Sequence, residues 1–402
     1  MKKLLVLSMV SLFLLAGCER ESSLNVTENN TTQEANLSLA KERLNALIKE
    51  GKLVPKFGSA LAKTAPGASN ARAGVQSSIW SKTADYTYYQ SLVQRAINPD
   101  DYECGPTEID GYIPPLIVGW TSSDFFFYNN FGDFAFLEAY FLDNTDGGDS
   151  FGTNGQFTNV TNRVFKDLKR FWNIPTDIQI ADAHGTIYNN VPLVVAMIKE
   201  FFTYGGGPVP DDIALDLALT LQAVFGSPKF HYFNNPLLTF NAFASTAEPA
   251  YGLPKKIVMG DGIQQAYADL GYSDVATQAI LAHEYGHHVQ FAQNVDFGNS
   301  PEGTRRTELM ADAFAAYFLT HKRGAALNWQ RVQEFLGVFY SIGDCAFDND
   351  GHHGTPNQRM KAAEFGYELA NQAQKQGQIL TSEAFIALFD AELPALVAPD
   401  AD

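Results

Sequence analysis

The chain has 402 residues, 46% hydrophobic and 13% aromatic, and carries a formal net charge of −17. That composition can bury a sizeable core and excludes a disordered protein. The acidic balance argues against nucleic acid as a partner, because a polyanion would be repelled, and reads as a solvated surface suited to an extracytoplasmic compartment.

Residues 1–17 begin with Lys2-Lys3 and continue as an apolar run from Leu4 to Leu15, too short for a transmembrane span. This is the pattern of a secretion signal. Its end, Leu15-Ala16-Gly17-Cys18, resembles the bacterial lipobox, which implies lipidation of Cys18 and a membrane anchor through that lipid. Glu19 in place of aspartate favours the outer membrane of the cell envelope, with the protein facing the periplasm or the cell surface. Residues 18–78, rich in Ser, Thr, Asn, Ala and charge, read as a tether or propeptide-like linker with little core. Within it, Leu37, Leu39, Leu44, Leu47 and Ile48 are spaced for one short amphipathic helix ended by Gly51, either a docking element or a fraying helix. Beyond Cys18, only Cys104 and Cys345 remain, and an oxidising location leaves both a disulfide and two free thiols open.

Residues 79–238 form an aromatic-rich part whose overall fold the pattern does not specify. The rings of Phe125-Phe126-Phe127-Tyr128 and of the stretch Phe131 to Phe141 read as core. The loop Asp143 to Asp149 invites a Ca²⁺ site but lacks the glutamate that an EF-hand needs at its twelfth position, so a solvated turn competes. Phe165 to Trp172 reads as a helix, Ile178 to Asp182 as a strand, and Val191 to Tyr204 and Asp211 to Phe225 as two further helices. His184 and His231 have no partner at ligand spacing and read as lone, satisfied or surface histidines.

Residues 239–395, followed by a tail at 396–402, carry the chemistry. Asn241 to Ala244 should be an edge strand and Lys256 to Met259 a more central one. A helix capped by Ser273 or Asp274 should run through His287. On that helix His283-Glu284-Tyr285-Gly286-His287 places two imidazoles four residues apart, on one face, for a single Zn²⁺, with Glu284 beside the metal. Glu308 and Asp312, also four apart on a helical pattern, supply a third ligand and a carboxylate for the second ring N–H of His283. Gly286 should permit close packing beneath the metal, and His288 reads as structural or exposed. Thr355 and Gln358 have capping-box spacing, which puts His353 just outside a helix N-terminus.

With those motifs the C-terminal part resembles the gluzincin metallopeptidases, and within them the bacterial neutral zinc metallopeptidases. The segments that carry the likeness are His283 to Gln290, Glu308 to Asp312 and His353 to Arg359. Asn241-Ala242-Phe243-Ala244 and Ile257 to Ile263 are similar to the edge strand and pre-helix strand of prenyl-protease-type gluzincins. The resemblance implies an α+β fold with a zincin-like metallopeptidase domain, mainly helical around a small mixed sheet. It also implies a zinc peptidase acting on proteins or peptides, with His283, His287 and Glu308 as metal ligands, and with substrate laid along Asn241, Ala242 and Phe243. Glu284 is the expected general base and His353 the expected oxyanion donor, with His352 and Tyr340 behind it. The alternative is a binding or adhesion lipoprotein that keeps the scaffold without turnover.

Overall fold

A computed structural model describes residues 37–56, 106–143, 150–298, 300–341, 343, 353–374 and 377–400. Cys18 with the signal segment, the pair Cys104 and Cys345, His352, and positions 144–149 of the acidic loop lie outside the described residues. The fold is α+β and mostly helical, with two small sheets.

The N-terminal elements are helix α1 (37–49) and strand β1 (Leu53–Pro55), followed by α2 (Glu108–Leu116) and α3 (Ser122–Phe131). Next come α4 (Thr158–Phe171), β2 (Ile178–Ala183), α5 (Val191–Phe201), β3 (Phe202–Tyr204) and α6 (Asp211–Phe225). The tether reading fails for residues 37–56. Leu44 and Leu53 are fully buried in a core built with Met197 of α5 and Leu217 and Leu221 of α6, and β1 pairs antiparallel with β3. The local composition looked solvated, but its leucine stripe finds an apolar partner far along the chain. The expected helix from Val191 to Tyr204 ends at Phe201 for the same reason. Phe202 turns extended, and Phe202-Thr203-Tyr204, an aromatic and β-branched run, meets the waiting strand. The same core receives the aromatic run, where Phe131 stacks on Phe127 and Phe202 at 6.1 and 5.6 Å between ring centroids.

The second sheet positions the site. Its order is β2, β5, β4, where β4 (Ala242–Ser245) is antiparallel and β2 is parallel to the central β5 (Lys255–Gly260). It is a mixed sheet with β4 at the edge. A domain boundary between residues 238 and 239 would cut it, because β2 lies on one side and β4 and β5 on the other. Helix α4 also joins the later core, where Phe165, Leu168 and Phe171 are buried among residues of the C-terminal helices.

Those helices are α7 (Asp261–Asp269), α8 (Ser273–Ala292), α9 (Pro301–Thr320), α10 (Trp329–Ser341), α11 (Pro356–Gln374) and α12 (Ser382–Leu396). Helix α8 starts without the expected side-chain cap: Tyr272 is the N-cap, and Asp274 in the first turn accepts hydrogen bonds from Arg331 and Gln278. Helix α9 is capped by Ser300, whose hydroxyl accepts from the Gly303 N–H, with Pro301 at its first position. A Cβ added at Gly286 of α8 would lie 3.2 Å from both Cα and O of Ala311 in α9. The glycine is what lets the two helices approach closely. Among the described residues no helix is long and apolar enough to cross a membrane.

Candidate metal centre

His283, Glu284 and His287 lie on α8, and Glu308 and Asp312 on α9, all five buried. The two Nε2 atoms of His283 and His287 face each other at 3.2 Å. Glu308 reaches both rings, Oε2 at 3.2 Å from His283 Nε2 and Oε1 at 3.4 Å from His287 Nε2. Three ligand atoms on two helices thus surround one point.

The surrounding hydrogen bonds decide what those atoms can do. Gln290 Nε2 donates to the Thr307 carbonyl at 2.6 Å, so its Oε1 is an acceptor for His287 Nδ1–H at 2.9 Å. Asp312 accepts from His283 Nδ1–H at 2.8 Å while Arg359 donates to both of its oxygens at 2.6 and 2.7 Å. With each Nδ1 a donor, the Nε2 atoms of neutral rings present lone pairs to one another and to a carboxylate. Three such acceptors this close could hold a metal ion between them, or share a proton on His283. Two imidazoles and one carboxylate beside a cleft are a donor set able to hold a metal such as zinc.

Charge in the site runs the same way. Burial works against protonation of His283, yet Asp312 and Glu308 outweigh it and raise the ring to about 9. Burial lowers His287 to about 4, with His283 adding to the fall. Burial opposes the charged Glu308, but His287 and His283 hold its carboxyl well below the usual range. Without a metal the site can accept one proton, on His283, and keeps Glu308 ionised. His288, the next residue, is buried and lowered to about 3, and its ring bonds the Lys256 carbonyl, so it is structural.

His283, His287 and Glu308 line an open cleft together with Glu284, His353 and Arg359. Asn241, Ala242 and Phe243, at the start of edge strand β4, form one wall, and Ile263, Ile280, Val338 and Phe339 make another part apolar. His353 precedes Gly354, whose φ of +106° turns the chain into α11. The capping box forms as expected: the Gln358 N–H donates to Thr355 Oγ1 and the Thr355 N–H to Gln358 Oε1, each at 3.2 Å. Tyr340 is half-buried on α10 and is not part of the lining.

Arg359 and Gln290 escaped the sequence reading as supports of the site. Gln290 follows His287 by three residues, one helical turn, which is a usable signal; Arg359 reaches Asp312 only through the packing of α11 on α9. His184, read as a satisfied or surface histidine, is a satisfied one. Its ring lies between Asp182 and Asp261, 77 residues further on, brought together by the pairing of β2 with β5. His231 is exposed, in keeping with a surface histidine.

No family model matches the chain, and no curated protein or solved structure is similar to it.

Proposed function

We propose that the protein is a zinc-dependent peptidase with a zincin-like catalytic region, carried to the cell envelope by a lipid on Cys18, with proteins or peptides as substrates. The observation that supports this reading is the convergence of His283 Nε2, His287 Nε2 and Glu308 on one point in an open cleft that Glu284 also lines. A purely structural zinc site would close its fourth position with a side chain.

Zinc held by His283, His287 and Glu308 supplies Lewis-acid activation of water and of a peptide carbonyl. Glu284, one residue after the first histidine, projects into the cleft, takes a proton from the attacking water and returns it to the leaving amine. His353 faces the same cleft and donates a hydrogen bond to the oxygen that gains charge. A substrate peptide adds as a strand along β4, where the side-chain oxygen of Asn241 is buried with no hydrogen-bond partner and is free to accept a substrate N–H. Asp312 and Arg359 hold the His283 ring at its angle, and burial keeps bulk water from competing.

The test is turnover and zinc content measured together on Glu284→Gln. The variant should retain about one zinc per chain and bind peptide while losing at least ~10²-fold in hydrolysis. Near-normal hydrolysis of a peptide library by that variant would remove the mechanism, and absence of zinc from the wild-type protein would remove the metal reading.

A further inference from the structure

A second cluster of ligand-type side chains stands at the carboxyl ends of the two parallel strands. Asp182 is the penultimate residue of β2, His184 follows that strand, and Asp261 opens α7 immediately after β5. The register pairs Asp182 with Met259 and Ala183 with Gly260, so the three residues meet at one end of the sheet. None of the three lines the cleft of the zinc ligands.

Asp261 is fully engaged. Its Oδ1 accepts the Gly152 N–H at 2.8 Å and its Oδ2 lies 2.5 Å from His184 Nδ1. His184 therefore donates Nδ1–H to a carboxylate and turns Nε2 away from it, the relation that Asp312 holds to His283. Asp182 Oδ2 sits against that Nε2, and the Asp182 side chain is only 7% exposed. A buried carboxylate oxygen and an imidazole nitrogen thus face one another, and one ligand atom from each of the three residues falls within 4.8 Å of the others. Two buried carboxylates against one ring leave negative charge uncompensated even when the ring is protonated, whereas a divalent ion neutralises them with a neutral ring. The His184 side chain is 26% exposed, which leaves the cluster an entry path and room for water ligands.

We propose that Asp182, His184 and Asp261 form a second divalent-cation site, with Asp182 and His184 Nε2 as ligands and Asp261 holding the ring or completing the set. Two carboxylates and one imidazole, partly open to water, suit a Mn²⁺-type ion that accepts mixed oxygen and nitrogen donors. The site lies at the strand ends and is independent of the zinc reading.

The test is a titration of the zinc-treated full chain with Mn²⁺, bound ion being counted from the loss of the free-ion paramagnetic resonance signal. The wild-type protein should take up one Mn²⁺ per chain more than Asp182→Asn or His184→Gln, whose zinc content should equal that of wild type. Counting the difference keeps the result readable whether or not the other centre takes zinc. Equal uptake by wild type and both variants overturns the proposal. So does a wild-type protein that takes up none while His184→Gln melts at lower temperature, which would make the cluster an imidazolium clamp between strand ends.

Discussion

His283 Nδ1 lies 2.8 Å from Asp312 Oδ1, and the same carboxylate is clasped by two Arg359 nitrogens at 2.6 and 2.7 Å. The ring of a candidate metal ligand is thereby oriented from α9, and the orienting carboxylate is itself held from α11. Removing the arginine strands a buried carboxylate, and removing the carboxylate strands a buried guanidinium, so the two should not behave as independent supports.

Arg359→Met should accordingly lower zinc affinity by about 10- to 100-fold, the usual scale for the partner of a ligand histidine, without altering the ligands themselves. Competition against a chelator measures this directly. Because Arg359→Met leaves Asp312 buried with its guanidinium partner gone and only the His283 N–H to satisfy it, a double variant with Asp312→Asn should be less impaired than the two single effects combined. Full additivity would mean the pair does not act as a unit.

His353→Ala should reduce turnover by ~10² to 10³-fold with little change in KM, if its role is to donate to the developing oxyanion. Steady-state kinetics with zinc content measured alongside decides it. Normal turnover would remove the oxyanion role from His353.

Gly286→Val should destabilise the protein by about 1–3 kcal/mol, because even a Cβ at this position meets the Ala311 backbone at 3.2 Å and backbone cannot swing aside. The valine's better helix propensity recovers well under ~1 kcal/mol. Denaturant titration of the metal-free chain separates this packing cost from any loss of zinc.

Asp133, beside Tyr128 and Tyr188, has its carboxyl raised by burial to about 7. A carboxyl with a raised folded-state value binds more protons folded than unfolded between about 4 and 7, so its contribution to stability falls as pH rises through that window. Asp133→Asn, which cannot ionise, should therefore be more stable than wild type at pH 8, by up to about 4 kcal/mol, and the gap should close by pH 4. Melting curves at the two values would show it; a gap that is the same at both would place the ionised carboxylate in a solvated setting.

Much of the site was legible because helical spacing is a local property. Residues four apart on an α-helix share a face whatever surrounds them, so His283 with His287, and Glu308 with Asp312, carry their relation in the sequence. The edge strand at Ala242, the central strand at Ile257 and the box of Thr355 with Gln358 are also short-range signals: alternation, β-branching and a three-residue offset. Local signals also misled where two outcomes compete on equal terms, as at Tyr272 in place of Ser273 or Asp274 as the cap of α8.

Sequence by itself determined which side chains can share a helix face and which segments can be strands, because those depend on backbone geometry over a few residues. Tertiary structure alone decided that the leucines of α1 are core, that Phe202 to Tyr204 form a strand, that β2 belongs with β5, and that Arg359 supports Asp312. Each of these joins residues tens to more than a hundred positions apart. Such contacts depend on which apolar faces and charges the whole chain brings together, and no periodicity records them. His184 makes the point most simply: alone in the sequence, it meets Asp261 only because two strands pair in one register.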